Sequence, residues 1–290
     1  MKKTITILTP TYNEVDNIDE LRSRISKVIE KISDYNFEHL FIDNSSNDGT
    51  IDKLKQIAKK NKKVKIIINA RNFGPASSTF HGLVQVKSDA CIHIASDLQD
   101  LPECIPDLIK KWEEGFKIVV LVKKESDEKK SMFFTRKLYY RFLTKVSETP
   151  PIENSTGNGL IDRDVIKILK GINDPLVFLR GLLVEIGFPI GKVYFKQPKR
   201  KKGSTGNSFY NLYELALVGI TNHSKVPIRI LSLAGFILSF LSFIFAIGHI
   251  FLKIFVWESY AIGMATMLIG LFFFGSIQML FLGLIGEYIA

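Results

Sequence analysis

Two periods alternate along the first 122 residues, and the switches between them mark out elements. Short β-branched runs at residues 5–8, 40–42, 64–68, 91–94 and 118–122 read as strands. Between them, apolar spacings of three and four predict helices over residues 18–32, 50–60, 75–86 and 102–114. Strands interleaved with helices in this way argue for an α/β domain with a mostly parallel sheet. Ligands of such open sheets bind beyond the carboxyl ends of the strands, so the turns that follow each strand are where chemistry is to be sought.

After residue 122 the pattern is less regular. A charged loop is expected at 123–130, helices at 133–146, 164–170 and 177–186, and a short strand at 193–195. Residues 196–206 form a basic, Gly/Ser-containing stretch, followed by amphipathic helical spacing at 209–220. Two apolar runs then fill residues 230–251 and 260–286, each longer than the roughly 20 residues a helix needs to cross a bilayer. Only Lys253, Glu258 and Glu287 carry formal charge between 230 and 290. This divides the chain into an α/β domain over 1–208, a juxtamembrane helix over 209–229 and a transmembrane hairpin over 230–290.

Charge refines that division. The chain carries a net +10, and residues 1–229 alone carry +11, because the stretch after them is slightly acidic. Under the positive-inside rule Lys225 and Arg229, just ahead of the first run, keep the α/β domain on the cytoplasmic side of a multi-pass inner-membrane protein. The N-terminal apolar stretch is too short for a signal peptide and enters a strand pattern directly. Basicity without interleaved aromatic residues or a reader motif argues against nucleic acid and for anionic membrane lipid. Cys91 and Cys104 lack metal-ligand spacing and read as reduced thiols. His81 and His93 have no metal-ligating neighbours in sequence and read as structural or solvated.

The turns after the strands hold the candidate chemistry. Pro10-Thr-Tyr-Asn-Glu14 follows the first strand and Asp43-Asn-Ser-Ser-Asn-Asp48-Gly-Thr50 the second. Each suits a base or ribose, and each is also what a helix cap at Asp48 or Thr50 would require. The fourth strand ends in Ala95-Ser-Asp97-Leu-Gln99-Asp100, whose clustered oxygens suit a hard divalent cation bridging phosphates. A cap ahead of Pro102 is the plainer alternative.

In this order, Pro10-x-Tyr-Asn-Glu14, Asp43-x-Ser-x-x-Asp48-Gly-Thr50, Arg71-Asn-Phe-Gly74 and Asp97-Leu-Gln-Asp100-x-Pro-Glu103 resemble the GT-A glycosyltransferases of family 2. The paired apolar runs, Phe178-Leu-Arg180-Gly181 and Gly219-Ile-Thr-Asn-His-Ser224 are similar to the group that glycosylates bactoprenol or dolichyl phosphate. The resemblance implies a metal-dependent, inverting transfer from a UDP- or GDP-sugar to polyprenyl phosphate, for modifying a cell-envelope glycan. It implies nucleotide-sugar contacts at Pro10, Tyr12, Glu14, Ile42, Asp43, Asn44, Arg71, Ser96 and Lys202. Asp97 and Gln99 match the ligands of Mg2+ or Mn2+, and Asp97, Asp100, Arg180 and Arg200 the catalytic positions.

The chain departs from the family pattern at Asn44 and Ala95, where aspartate is usual, at Pro75-Ala-Ser, and at Gly157, where bactoprenol enzymes carry an acidic residue nearby. Two other readings therefore stand beside the first. The acceptor could be a lipid-linked glycan, or the chain could be a silent nucleotide-binding scaffold in the membrane. Self-association is left open.

Overall fold

The computed structural model describes residues 2–125, 152, 154–172, 179–198, 228–230, 233–235, 237, 240–241, 244, 255 and 263–289. Its first compact unit holds a seven-stranded sheet and its second the C-terminal segment from residue 214. The expected helices at 133–146 and 209–220, and nearly all of the basic stretch with Arg200 and Lys202, lie outside the described residues.

The strands are β1 (Thr4–Thr11), β2 (Asn36–Asp43), β3 (Val64–Ile68), β4 (Ala90–His93), β5 (Ile118–Glu125), β6 (Ser155–Asp162) and β7 (Ile190–Lys196). Their order is β3-β2-β1-β4-β6-β5-β7, and every neighbouring pair is parallel except those made by β6. This is the α/β, mostly parallel architecture expected from the alternating pattern. Lys123 and Glu125 belong to β5 rather than to a loop, because that strand pairs with β7 as far as Lys196. The strand β6 was not foreseen.

The helices are α1 (Ile18–Ile29), α2 (Thr50–Lys60), α3 (Pro75–Gln85), α4 (Ile105–Glu113), α5 (Arg163–Lys170) and α6 (Leu179–Glu185), with a 3-10 turn at Pro102–Cys104 before α4. Alternation along the strands sends Ile5, Ile7, Ile92 and Val119 to one face, where they bury Leu21 and Ile25 of α1 and Ile105, Leu108 and Trp112 of α4. Leu8, Cys91, Ile118 and Val120 line the other face, against Leu83 of α3, Val165 and Leu169 of α5, and Leu183 of α6. A smaller cluster of Ile18, Phe41, Leu54 and Val64 seats α2. The three-layer core leaves the carboxyl ends of the parallel strands as the place where polar turns gather. Both cysteines are buried and free.

In the second unit, α7 (Met264–Ile289) runs for 26 residues, starting within the second apolar run and ending three residues past it. Counted over the described residues alone, no helix is long and apolar enough to cross a membrane.

Candidate functional site

Four non-glycine residues among those described have positive φ: Asn13 at 55°, Ser45 at 66°, Leu98 at 60° and Asn154 at 58°. They follow β1, β2 and β4 and immediately precede the antiparallel β6, so all four lie at one edge of the sheet. Such backbone strain concentrates where surrounding structure is built around a site.

At that edge a cavity of about 270 Å³ is lined by Ala95, Asp97, Gln99, Asp100, Lys123, Asn154, Ser155, Thr156, Asn158, Arg180 and Gln197. The turn after β4 shapes its acidic side. Asp97 Oδ1 accepts the backbone N–H of Gln99 at 3.1 Å, which closes the turn that Leu98 strains. Asp100 is almost fully buried, and its Oδ2 accepts from Ala95 N at 3.4 Å and from Asn158 Nδ2. Burial pushes the Asp100 carboxyl up to about 6; the Asn158 hydrogen bond opposes the shift and the nearby charge of Asp97 adds to it. Leu101, not Asp100, stands at the start of the 3-10 turn, so the capping alternative does not describe Asp100.

The basic side comes from Lys123 on β5 and Arg180 on α6. Arg180 packs against Gly157, whose φ of +80° and lack of a side chain leave room for it: a Cβ there would stand 2.6 Å from Arg180 Nε. The structure therefore brings Asp97, Gln99, Asp100 and Arg180 of the expected residues into one cavity. Lys123, Asn154, Ser155, Thr156, Asn158 and Gln197 were not foreseen. The rule that ligands sit beyond strand ends would have pointed to Lys123 and to Gln197, which directly follows β7.

The first two turns lie at the same edge but are largely self-contained. Asp43 is fully buried; its Oδ1 accepts from Ser46 N at 2.8 Å and its Oδ2 from Ser46 Oγ at 2.6 Å and Thr11 Oγ1 at 3.0 Å. Glu14 accepts from Asn17 Nδ2. Ile42 is a core residue with no exposed surface, packed beside Gly82. Asn44 and Ser96 are buried too, whereas Tyr12 is 46% exposed. Arg71 is exposed with its guanidinium 4.1 Å from the Phe73 ring centroid. The start of α2 is capped at Gly49, with Asp48 Oδ1 accepting Thr50 N at 3.0 Å, so Asp48 serves the turn without being the cap residue. Glu103, at the end of the fourth motif, makes a two-pronged pair with Arg24 Nε at 3.0 Å and Nη2 at 2.6 Å, which ties the turn to α1.

The cavity lining includes the two residues, Asp97 and Gln99, expected to meet a divalent cation. No group of three or more His, Cys, Asp or Glu side chains among the described residues is placed to hold a metal. The oxygens of Asp97 and Gln99 could supply two positions and leave the rest to water and phosphate, as Mg2+ prefers.

Comparison with known proteins agrees with the motifs. The family described as Glycosyl transferase family 2 matches residues 6–169. The glycosyltransferase YkcC of Bacillus subtilis (strain 168) is 33% identical over 288 residues, covering 98% of this chain and 87% of that protein. A prophage bactoprenol glucosyl transferase homolog of Escherichia coli (strain K12) is 32% identical over 98% of this chain and 93% of its own length. Among solved structures, the mannosyltransferase PcManGT from Pyrobaculum calidifontis aligns with a TM-score of 0.48 at 16% identity, over 77% of this chain and 62% of that one.

Proposed function

The chain belongs to glycosyl transferase family 2, and from that membership we propose that it moves a sugar from a UDP- or GDP-sugar to polyprenyl phosphate, inverting the anomeric carbon, at the cytoplasmic face of a membrane. The observation that carries this reading is a single cavity with Asp97, Gln99 and Asp100 on one side and Lys123 and Arg180 on the other. A reaction between a diphosphate ester and a phosphate monoester brings two anions together, so the site must supply positive charge to both, while the acceptor oxygen, already anionic, needs little help from a general base. The relatives that match nearly the full chain include bactoprenol glucosyl transferases, which supports a polyprenyl acceptor.

In this reading the acceptor phosphate oxygen bonds to the anomeric carbon from the face opposite the nucleotide, while the bond from that carbon to the diphosphate oxygen breaks. Arg180 holds phosphate oxygens through a planar guanidinium that pairs with two of them at once. Asp97 and Gln99 would hold Mg2+ or Mn2+, which when bound neutralises charge on the departing diphosphate. Asp100 anchors Asn158 and Ala95 N, and so fixes the floor beneath the reacting groups. Tyr12 and Arg71 face the nucleotide from the neighbouring turns. The apolar runs at 230–251 and 260–286 anchor the chain in lipid, with Arg200 and Lys202 near the headgroups.

The test is mass spectrometry of lipid extracts after the full chain, in nanodiscs, is incubated with undecaprenyl phosphate and a panel of nucleotide-sugars. A hexose added to the lipid phosphate by one donor is the expected result. Nucleotide release with no glycosylated lipid, or no turnover of any donor, would remove the proposed acceptor.

A further inference from the structure

Asn44 stands at the carboxyl end of β2 and is 4% exposed, yet its side chain reaches away from Asp43 and into the segment after β3. Its Nδ2 donates to Asn72 Oδ1 at 2.7 Å and to the Gly74 carbonyl at 3.2 Å. Its Oδ1 accepts from Phe73 N at 3.1 Å and from Asn69 Nδ2 at 3.1 Å. All of its hydrogen-bonding capacity is thereby used within the protein.

The orientation of this amide is not ambiguous. The Phe73 N–H can only donate and the Gly74 carbonyl can only accept, so backbone groups on both sides fix which atom is which. Asn72 is fixed in turn, because its Oδ1 also accepts Gly74 N at 2.8 Å. Residue 44 therefore faces two acceptors and must donate to both, which a carboxylate cannot do. We infer that Asn44 is a positioning residue that pins the Asn69–Gly74 loop, and with it Arg71 and Phe73, to the donor side of the site, and that only an amide serves at this position.

This rests on the reading of Arg71 as a donor contact. The loop it shapes presents a guanidinium stacked on a 45% exposed ring at the sheet edge where the other polar turns gather. With its amide fully used by the loop, Asn44 acts through Arg71 and Phe73.

The test compares two substitutions that each add one negative charge to the same network. Asn44→Asp places a carboxylate against the Gly74 carbonyl and Asn72 Oδ1. Asn72→Asp keeps the acceptor oxygen that Asn44 and Gly74 N require. In the full chain in nanodiscs, with UDP-glucose and GDP-mannose as donors, N44D is expected to raise donor KM about tenfold with kcat within about twofold. It should also speed deuterium exchange at residues 69–74. N72D should leave both near wild type, and Arg71→Ala should reproduce the KM change without the exchange change. Unaltered exchange in N44D, or equal defects in N44D and N72D, would overturn the positioning role. Faster exchange in N44D with donor KM unchanged in both N44D and R71A would instead overturn the donor reading of the loop. If N44D does not fold, N72D still decides: faster exchange at residues 69–74 or a raised donor KM in N72D, which keeps every acceptor that the Asn44 amide needs, would overturn the positioning role.

Discussion

Arg180 lies over Gly157, and the position a Cβ would take there is only 2.6 Å from Arg180 Nε and 2.7 Å from its Cγ. The Arg180 side chain thus lies over the glycine near which the bactoprenol resemblance leads one to expect an acidic residue. The cavity trades a potential base for a cation, which suits an acceptor that arrives already ionised.

The first prediction follows from that contact. Gly157→Ala must both strain a backbone at φ +80° and displace Arg180. Turnover should fall by about ten- to a hundredfold, since small displacements of a charge-positioning group have effects of that order. Gly157→Asp should lower activity as well. Arg180→Ala should be equally damaging, and adding G157A to it should cause little further loss in steady-state assays. Additive losses would show that the two residues act separately.

Acid sensitivity provides the second prediction. His39 and His93 are buried, and desolvation lowers their pKa values to about 3 and about 4, with Arg22 and Arg180 respectively adding to the effect. Both are neutral in the folded chain, while the unfolded chain protonates them near 6.5. The unfolded state binds more protons below that point, so stability is full above about pH 6.5 and declines as pH falls toward 4. Each histidine contributes a slope of roughly 1.4 kcal/mol per pH unit in that window. His39 at least shares a hydrogen bond with Thr9 Oγ1 at 3.0 Å, whereas neither ring nitrogen of His93 has a partner among the described residues. His93→Leu should hold or raise the melting temperature at pH 7 and flatten the acid limb by about one proton in urea titrations across pH.

A third prediction concerns sidedness. Cys91 and Cys104 are buried, so an introduced thiol reports without background. In intact cells, an impermeant maleimide should label Ser259→Cys, between the two apolar runs, and should leave the exposed Asn47→Cys untouched until the membrane is opened. The reverse pattern would place the α/β unit outside.

How far the sequence could be read depended on how local the determining interactions were. Val64–Ile68 and Thr50–Lys60 match their expected bounds because a β-branched run and a helical period specify them without help from elsewhere. β6 was hidden because it opens with Ser-Thr-Gly-Asn-Gly, which carries no two-residue apolar alternation. Gly159 is there for a tertiary reason, since a side chain would strike the backbone of Val119. The same strand brings Ser155, Thr156 and Asn158 into the cavity, so missing β6 meant missing them. Asp97, Gln99 and Asp100 were legible because one short turn carries all three. Asp43 and Asn44 were legible as important but not in role: residue type alone does not reveal that Asp43 spends its hydrogen bonds on Ser46 and Thr11 and Asn44 on the loop after β3.

The last prediction addresses the cation and separates binding from catalysis. Of the oxygen-bearing residues that line the cavity, the proposed reading takes Asp97 and Gln99 as the ligands, with Ala95 contributing no carboxylate where the family usually has one. With so few protein ligands the ion should bind weakly to the free protein and more tightly with donor present, because phosphate oxygens complete its shell. Manganese titration followed by electron paramagnetic resonance should therefore show affinity rising on addition of the nucleoside diphosphate that the enzyme accepts. Asp97→Asn removes the one formal charge in the pair. It should abolish that nucleotide-dependent increase and reduce turnover by a factor on the order of a hundred or more, with the melting temperature unchanged. Asp97 is only partly buried, and it accepts a hydrogen bond from the Gln99 backbone N–H that an asparagine Oδ1 can still accept, so the fold has no reason to fail. Ala95→Asp supplies the complementary arm: a restored carboxylate should tighten manganese binding to the free protein. Full turnover of the wild type in excess chelator would remove the cation from the reaction and leave Arg180 and Lys123 to carry the diphosphate charge alone.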